Sequence, residues 1–175
     1  MTTTTAPTAT AAASTLPTDL GLLVLRLALG LTMAAHGAQK LFGWFDGAGL
    51  DRTAKFFESE GYPASQAAAV LAGICEGFGG LALALGLLTP LAAASILGVM
   101  INATAVKWGG GFFSAKGIEY ELLIIFSAVT IALAGPGRFS VDSAVGFLRP
   151  YRLTYGIAAI ALGLITAGIV LLARN

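Results

Sequence analysis

The chain has 175 residues, of which 57% are hydrophobic and 11% charged, and its mean hydropathy is +0.84. Soluble domains carry roughly 25% charged residues, so this composition excludes an ordinary water-covered core and makes lipid the solvent for much of the exterior. Ten Lys and Arg scattered singly against nine Asp and Glu exclude the basic stripe that nucleic acid requires; the single cysteine and the single histidine exclude an internal disulfide and argue against a metal or haem cage.

Residues 1–18 are dominated by Thr and Ala, with Pro7 and Pro17, and predict a disordered tail, since few of their side chains could repay the entropy of ordering. No Lys or Arg precedes the first apolar segment, which is longer than a signal-peptide core, so that segment is expected to stay in the mature protein. Five apolar segments follow. A span needs roughly 20 residues at about 1.5 Å each, a length that Leu20 to Leu41, Ala67 to Leu88 and Thr154 to Ala173 meet directly. Leu91 to Val106 follows Thr89-Pro90, which reads as a tight hairpin and sets the second and third helices antiparallel. The core of the fourth segment, Leu122 to Ala134, is short, so spanning requires the helix to begin near Ile118 and draws Glu119 and Glu121 to the interface. Gly135-Pro136-Gly137 ends it.

Two connections carry their own patterns. The loop from Phe42 to Gln66 holds much of the charge and predicts a short amphipathic helix around Arg52 to Glu60. Val141, Val145, Leu148 and Tyr151 recur at helical spacing beside Arg149 and Arg152, as in a short interfacial helix within residues 138–153. Gly109-Gly110-Gly111 lacks the lysine and serine of a phosphate loop and reads as a turn. The expected fold is an all-α integral membrane protein, an antiparallel four-helix transmembrane core with a fifth, C-terminal transmembrane helix.

Each crossing reverses the chain, so the ends of the first and third helices share a face with the beginnings of the second and fourth. His36, Gln39, Lys40, Trp44, Lys107, Trp108, Glu119 and Glu121 gather there, with Asn102 and Cys75-Glu76 deeper. Glu76 falls near the bilayer midplane, where an ionised carboxylate needs a partner, so it is expected to face inward, on a small-residue face that it shares with Ala72, Gly73, Gly79 and Gly80 and that lets another helix approach closely. Two readings stand for it: a carboxylate that only glues helices, or one that exchanges protons or binds substrate. His36 and Lys40 share a helix face; Lys40 and Lys107 either pair with these acids or extend to headgroups beside Trp44 and Trp108. Arg26, six residues into the first helix from the opposite face, either anchors to headgroups or pairs inward, and anchoring is the favoured expectation. Cys75 reads as a small buried apolar residue rather than a reactive thiol.

Arg26, Gly30, His36-Gly37, Lys40-Leu41-Phe42-Gly43, Glu76 with Gly79-Gly80, and Leu85-Gly86-Leu87-Leu88-Thr89 together resemble the DoxX family of membrane proteins. Gly135-Pro136-Gly137-Arg138 with Ser140 and Asp142 extends the resemblance to about residues 20–146, and the fifth apolar segment departs from the family's four-helix pattern. The resemblance implies a division into a tail (1–18), a four-helix membrane domain (19–146), and a linker with a C-terminal helix (147–175). It further implies a redox association, notably with the membrane component of thiosulfate:quinone oxidoreductases, and soluble partners such as a sulfurtransferase or superoxide dismutase. Arg26, His36, Lys40, Glu76 and Asp142 carry over as motif positions.

On that basis Glu76 and His36 are the candidate catalytic residues, and Lys40, Gln39, Asn102, Lys107 and Glu121 the candidate quinone-binding residues, with no metal site. Quinone is the one cofactor-like molecule expected, and oligomerisation is compatible with the pattern. A non-enzymatic scaffold recruiting partners through residues 46–60, or a small solute or proton transporter, are the competing readings. Six basic residues on the polar-cluster side against four on the other tilt that side toward the cytoplasm of a cell membrane.

Overall fold

The computed structural model describes residues 16–114, 116–145 and 151–174. Among them lie seven α-helices: α1 (Leu16–Phe42), α2 (Gly49–Ser59), α3 (Ser65–Leu85), α4 (Thr89–Lys107), α5 (Glu119–Ala134), α6 (Val141–Ala144) and α7 (Leu153–Ala173). Four stretches, α1, α3, α4 with its 3-10 extension to Gly110, and α7, are long and apolar enough to cross a membrane. Helix α5 has 16 residues, about 24 Å, and completes the antiparallel series between α4 and α7. Val24, Leu31, Phe78, Leu123, Phe126, Ile165 and Leu172 are exposed on the outer surface of the bundle, an apolar exterior that only lipid solvates favourably.

The helix ends follow from local chemistry. Gly86, at φ 66°, closes α3 with a paired cap in which its own N–H reaches the Leu83 carbonyl and the Leu87 N–H reaches Ala82, an arrangement needing a left-handed residue that glycine adopts without strain. Leu88 is also left-handed, at φ 46°, and its N–H is held by Asp142 at 2.7 Å. The hairpin is therefore Gly86–Leu88, one step earlier than proline suggested: Pro90 lies inside the first turn of α4, where its missing N–H leaves no helical bond unmade.

Helices α1 and α3 run against each other with almost no side chain between them. A Cβ at Gly30 would lie 2.5 Å from the Gly80 carbonyl oxygen and 2.6 Å from the Ala84 nitrogen, and one at Gly37 would strike the Gly77 backbone. Helix α4 stands behind α3 and is covered by α5 and α7, so it is the central element. Met33, Leu83, Ile96 and Ile131 are fully buried where α1, α3, α4 and α5 meet, with Leu29, Ile124, Ala93 and Ala128 around them.

Three expectations change. Leu16–Thr18 belong to α1 rather than to the tail, because Pro17 fits a first helical turn; the remainder of that tail lies outside the described residues. The amphipathic loop helix starts three residues before Arg52, at Gly49, and ends at Ser59. Of the helix read across Val141 to Tyr151, Val141–Ala144 is helical and closes at Val145, which is extended at ψ 111°; residues 146–150, Leu148 and Arg149 among them, lie outside the described residues.

Candidate functional site

Antiparallel packing brings the predicted polar residues together at one face. Glu76, in the middle of α3 and 1% exposed, is met by Lys40 from the last turn of α1, whose Nζ donates to Glu76 Oε2. Lys40 itself is 26% exposed, so the pair runs from the bundle interior to its edge. The glycine contacts explain the reach: Gly37 against Gly73 and Gly77 brings the α1 backbone within a lysine's length of α3.

A second pair lies alongside. Lys107 at the end of α4 donates to Glu121 Oε1 at 2.5 Å, and Glu121 is 4% exposed with Oε2 making no hydrogen bond among the described residues. Lys40 and Lys107 thus take carboxylate partners rather than reaching only for headgroups. His36 Nε2 and the Tyr120 hydroxyl are 2.8 Å apart, and His36 lies within electrostatic reach of Lys40, Glu76 and Lys107. Gln39 donates its amide to the Phe45 carbonyl at 3.2 Å and also makes a side-chain hydrogen bond with His36. Glu119 is exposed and outside the cluster, as are Trp44 and Trp108. Cys75 is half-buried.

Asn102 belongs to a neighbouring network. Its amide donates to the Gly98 carbonyl at 3.0 Å, and its Oδ1 accepts from Tyr62 at 3.2 Å. The Arg174 guanidinium, at the end of α7, lies over the Tyr62 ring and bonds the Glu60 backbone and carboxylate. Burial pushes the Tyr62 phenol above the usual tyrosine range, with Arg174 pulling it back and Glu60 adding to the rise. Tyr120, Tyr62, Glu60 and Arg174 were not among the residues singled out by sequence. The position of Tyr120 between Glu119 and Glu121 was the available signal, since on a helix only one of three successive residues faces a given neighbour.

Arg26 does not anchor to headgroups. It is fully buried at the opposite face, Nη2 donating to the Phe139 carbonyl, with Nε and Nη1 making no hydrogen bond among the described residues. Asp142 lies near enough to act on it electrostatically and accepts the Leu88 and Thr89 N–H groups at 2.7 and 2.8 Å, capping α4 from the short helix α6. Arg26 and Asp142, paired only as motif positions in the sequence, thus form one centre.

A groove of about 430 Å³ opens on the outer surface between α1 and α3, lined chiefly by Leu31, Ala34, Ala38, Phe42, Phe78 and Leu81, with Trp44 and Phe45 toward the polar face. It is apolar and contains none of the candidate polar residues, although its Leu41 and Gly77 are the chain neighbours of Lys40 and Glu76.

The family model for DoxX matches residues 21–108, the stretch holding Arg26, His36, Lys40, Glu76 and Lys107. The uncharacterized membrane protein Rv3486 of Mycobacterium tuberculosis is 32% identical over 132 residues, covering 69% of this chain and 78% of that protein. No solved structure matches.

Proposed function

Because the chain belongs to the DoxX family of membrane proteins, we propose that it is the membrane subunit of a redox system in which a quinone is reduced and Glu76 handles an accompanying proton. The observation that carries this reading is the Lys40–Glu76 pair, a carboxylate 1% exposed held by a lysine that reaches the bundle edge. Ionisable groups at such depth are expensive to keep without a task, and a proton arriving at Glu76 frees Lys40 to hydrogen-bond a substrate oxygen.

Quinone reduction to quinol takes two electrons and two protons. The electrons come from a reduced sulfur compound by way of a soluble protein docked at the polar face; the protons come through the Lys40–Glu76 and Lys107–Glu121 pairs, with His36 between them. The apolar groove of about 430 Å³ is of ligand-binding size and fits the hydrocarbon part of such a substrate, while the polar groups that would hold its oxygens lie inward of the groove floor.

The test is quinone-analogue reduction by lipid-reconstituted protein supplied with thiosulfate or another sulfur donor and the candidate partner. Donor-dependent reduction in the wild type that is lost in Glu76→Gln supports the reading; equal rates in the two proteins remove Glu76 from the chemistry. A scaffolding role has one observation of its own: α2 packs on α3 with Asp51, Arg52, Lys55 and Glu58 outward. Under that reading, reversing those charges abolishes copurification of a soluble redox protein and Glu76→Gln does not.

A further inference from the structure

The two charged centres stand at opposite ends of the bundle, and what lies between them bears on where protons travel. Gly86 packs against Arg26 Nη1, and ten residues of α3 separate it from Glu76, about 15 Å along the helix. That interval is filled by Leu29, Met33, Leu83, Ile96 and Ile131, four of them with no exposed surface. No titratable side chain among the described residues lies in this layer. Of the hydroxyls on the surrounding helices, Ser95, Ser127, Thr130 and Thr166 donate to carbonyls of their own helices at 2.7 to 2.9 Å, Ser95 also reaching the Cys75 carbonyl on α3 at 3.4 Å, and Thr32 is exposed on the outer surface.

A proton moves through hydrogen-bonded neighbours about 3 Å apart, and a close-packed apolar layer admits no water to supply them. Toward the other face, Glu76 bonds Lys40 from α1, and two further hydrogen-bonded pairs stand by, His36–Tyr120 between α1 and α5 and Lys107–Glu121 between α4 and α5, with His36, Tyr120 and the neighbouring Cys75 within electrostatic reach of Glu76. The charged side chains of α2, which also packs on α3, point outward.

We infer that Glu76 exchanges protons with the Lys40–Lys107 face alone, and that the Met33, Leu83, Ile96 and Ile131 layer is an insulating plug. The protein is then a one-sided proton-exchange centre and not a transmembrane proton path. This goes beyond the redox reading and stands without it; where both hold, the protons of the quinol are drawn from a single face.

The experiment uses the full chain in sealed vesicles with no quinone and no donor, so its failure is separate from failure of the redox reading. The fraction of molecules with the Lys40–Lys107 face outward is measured by external labelling, and the infrared signal of the Glu76 carboxyl is taken as wild type minus Glu76→Gln. After a step in external pH, only that outward fraction of the signal responds, and the remainder follows once an ionophore equalises the two compartments. A prompt response of the whole signal overturns the inference, as does a signal that stays still after the ionophore. A lumenal pH dye on wild-type vesicles gives a second readout independent of the variant's folding: proton flux matches protein-free vesicles, and flux that rises with protein content overturns the plug.

Discussion

Lys40 and Glu76 share one short contact across two helices, and removing only one of them leaves an uncompensated charge inside the bundle. Breaking such a pair costs about 3–5 kcal/mol when fully buried, and less here because Lys40 reaches the edge. Lys40→Met therefore lowers the thermal unfolding midpoint in detergent, and adding Glu76→Gln recovers part of the loss, a coupling that a double-mutant cycle measures directly. Tyr62 gives a prediction in pH. Its phenol is raised, so the folded chain holds that proton more tightly than the unfolded chain does, and the stabilisation is complete below the ordinary tyrosine value of about 10. It is lost as pH climbs through the raised value, when the hydrogen bond to Asn102 loses its donor. The melting midpoint of wild type should fall over that range relative to Tyr62→Phe. At this scale the inward orientation of Glu76 was legible, because depth alone makes a bare carboxylate expensive. Arg26 was misread, because distance from a helix end says how deep a side chain starts but not which way it points, and a long cation six residues in can satisfy either solvent.

Among the helices, the α1–α3 seam depends on glycine for closeness rather than for flexibility. Gly37→Ala places a methyl group against backbone that has no side chain to move aside, the Gly73 carbonyl being 2.7 Å from its position. We expect it to destabilise the bundle by about 1–3 kcal/mol and to separate Lys40 from Glu76. Gly21→Ala, in the same helix with nothing within 4 Å, is the control and should be neutral or stabilising by up to about 1 kcal/mol. Detergent melting of the two variants checks the contrast. The sequence carried much of this element-level picture: the small residues around Glu76 on α3 announced a close approach, and hydropathy located the spans because lipid forces backbone bonds to close within each helix. Less legible was the hairpin, where proline marks the start of a helix as readily as the end of one.

For the molecule as a whole, five antiparallel crossings place Leu16 and Arg174 at opposite faces. Topology reporters fused at the two ends should accordingly register opposite compartments, and reporters at the α2 loop and after Arg174 the same one. With Arg26 withdrawn into the interior, the basic residues flanking the spans favour the Lys40–Lys107 face more strongly than a simple count does, so that face should report as cytoplasmic. Neither the electrostatic proximity of Arg26 and Asp142 nor the clamp of Arg174 on Glu60 was readable from pattern, since both join residues more than a hundred positions apart. Asp142 also bears on the order in which the molecule is made. Its carboxylate holds the Thr89 N–H from 53 residues further along the chain, so during synthesis the α3–α4 hairpin enters the bilayer with the first N–H groups of α4 uncapped. The hairpin reaches its final stability only when the segment after α5 emerges and folds back over it, which makes that segment the latch of membrane assembly and a late point at which an incomplete chain is still distinguishable from a finished one.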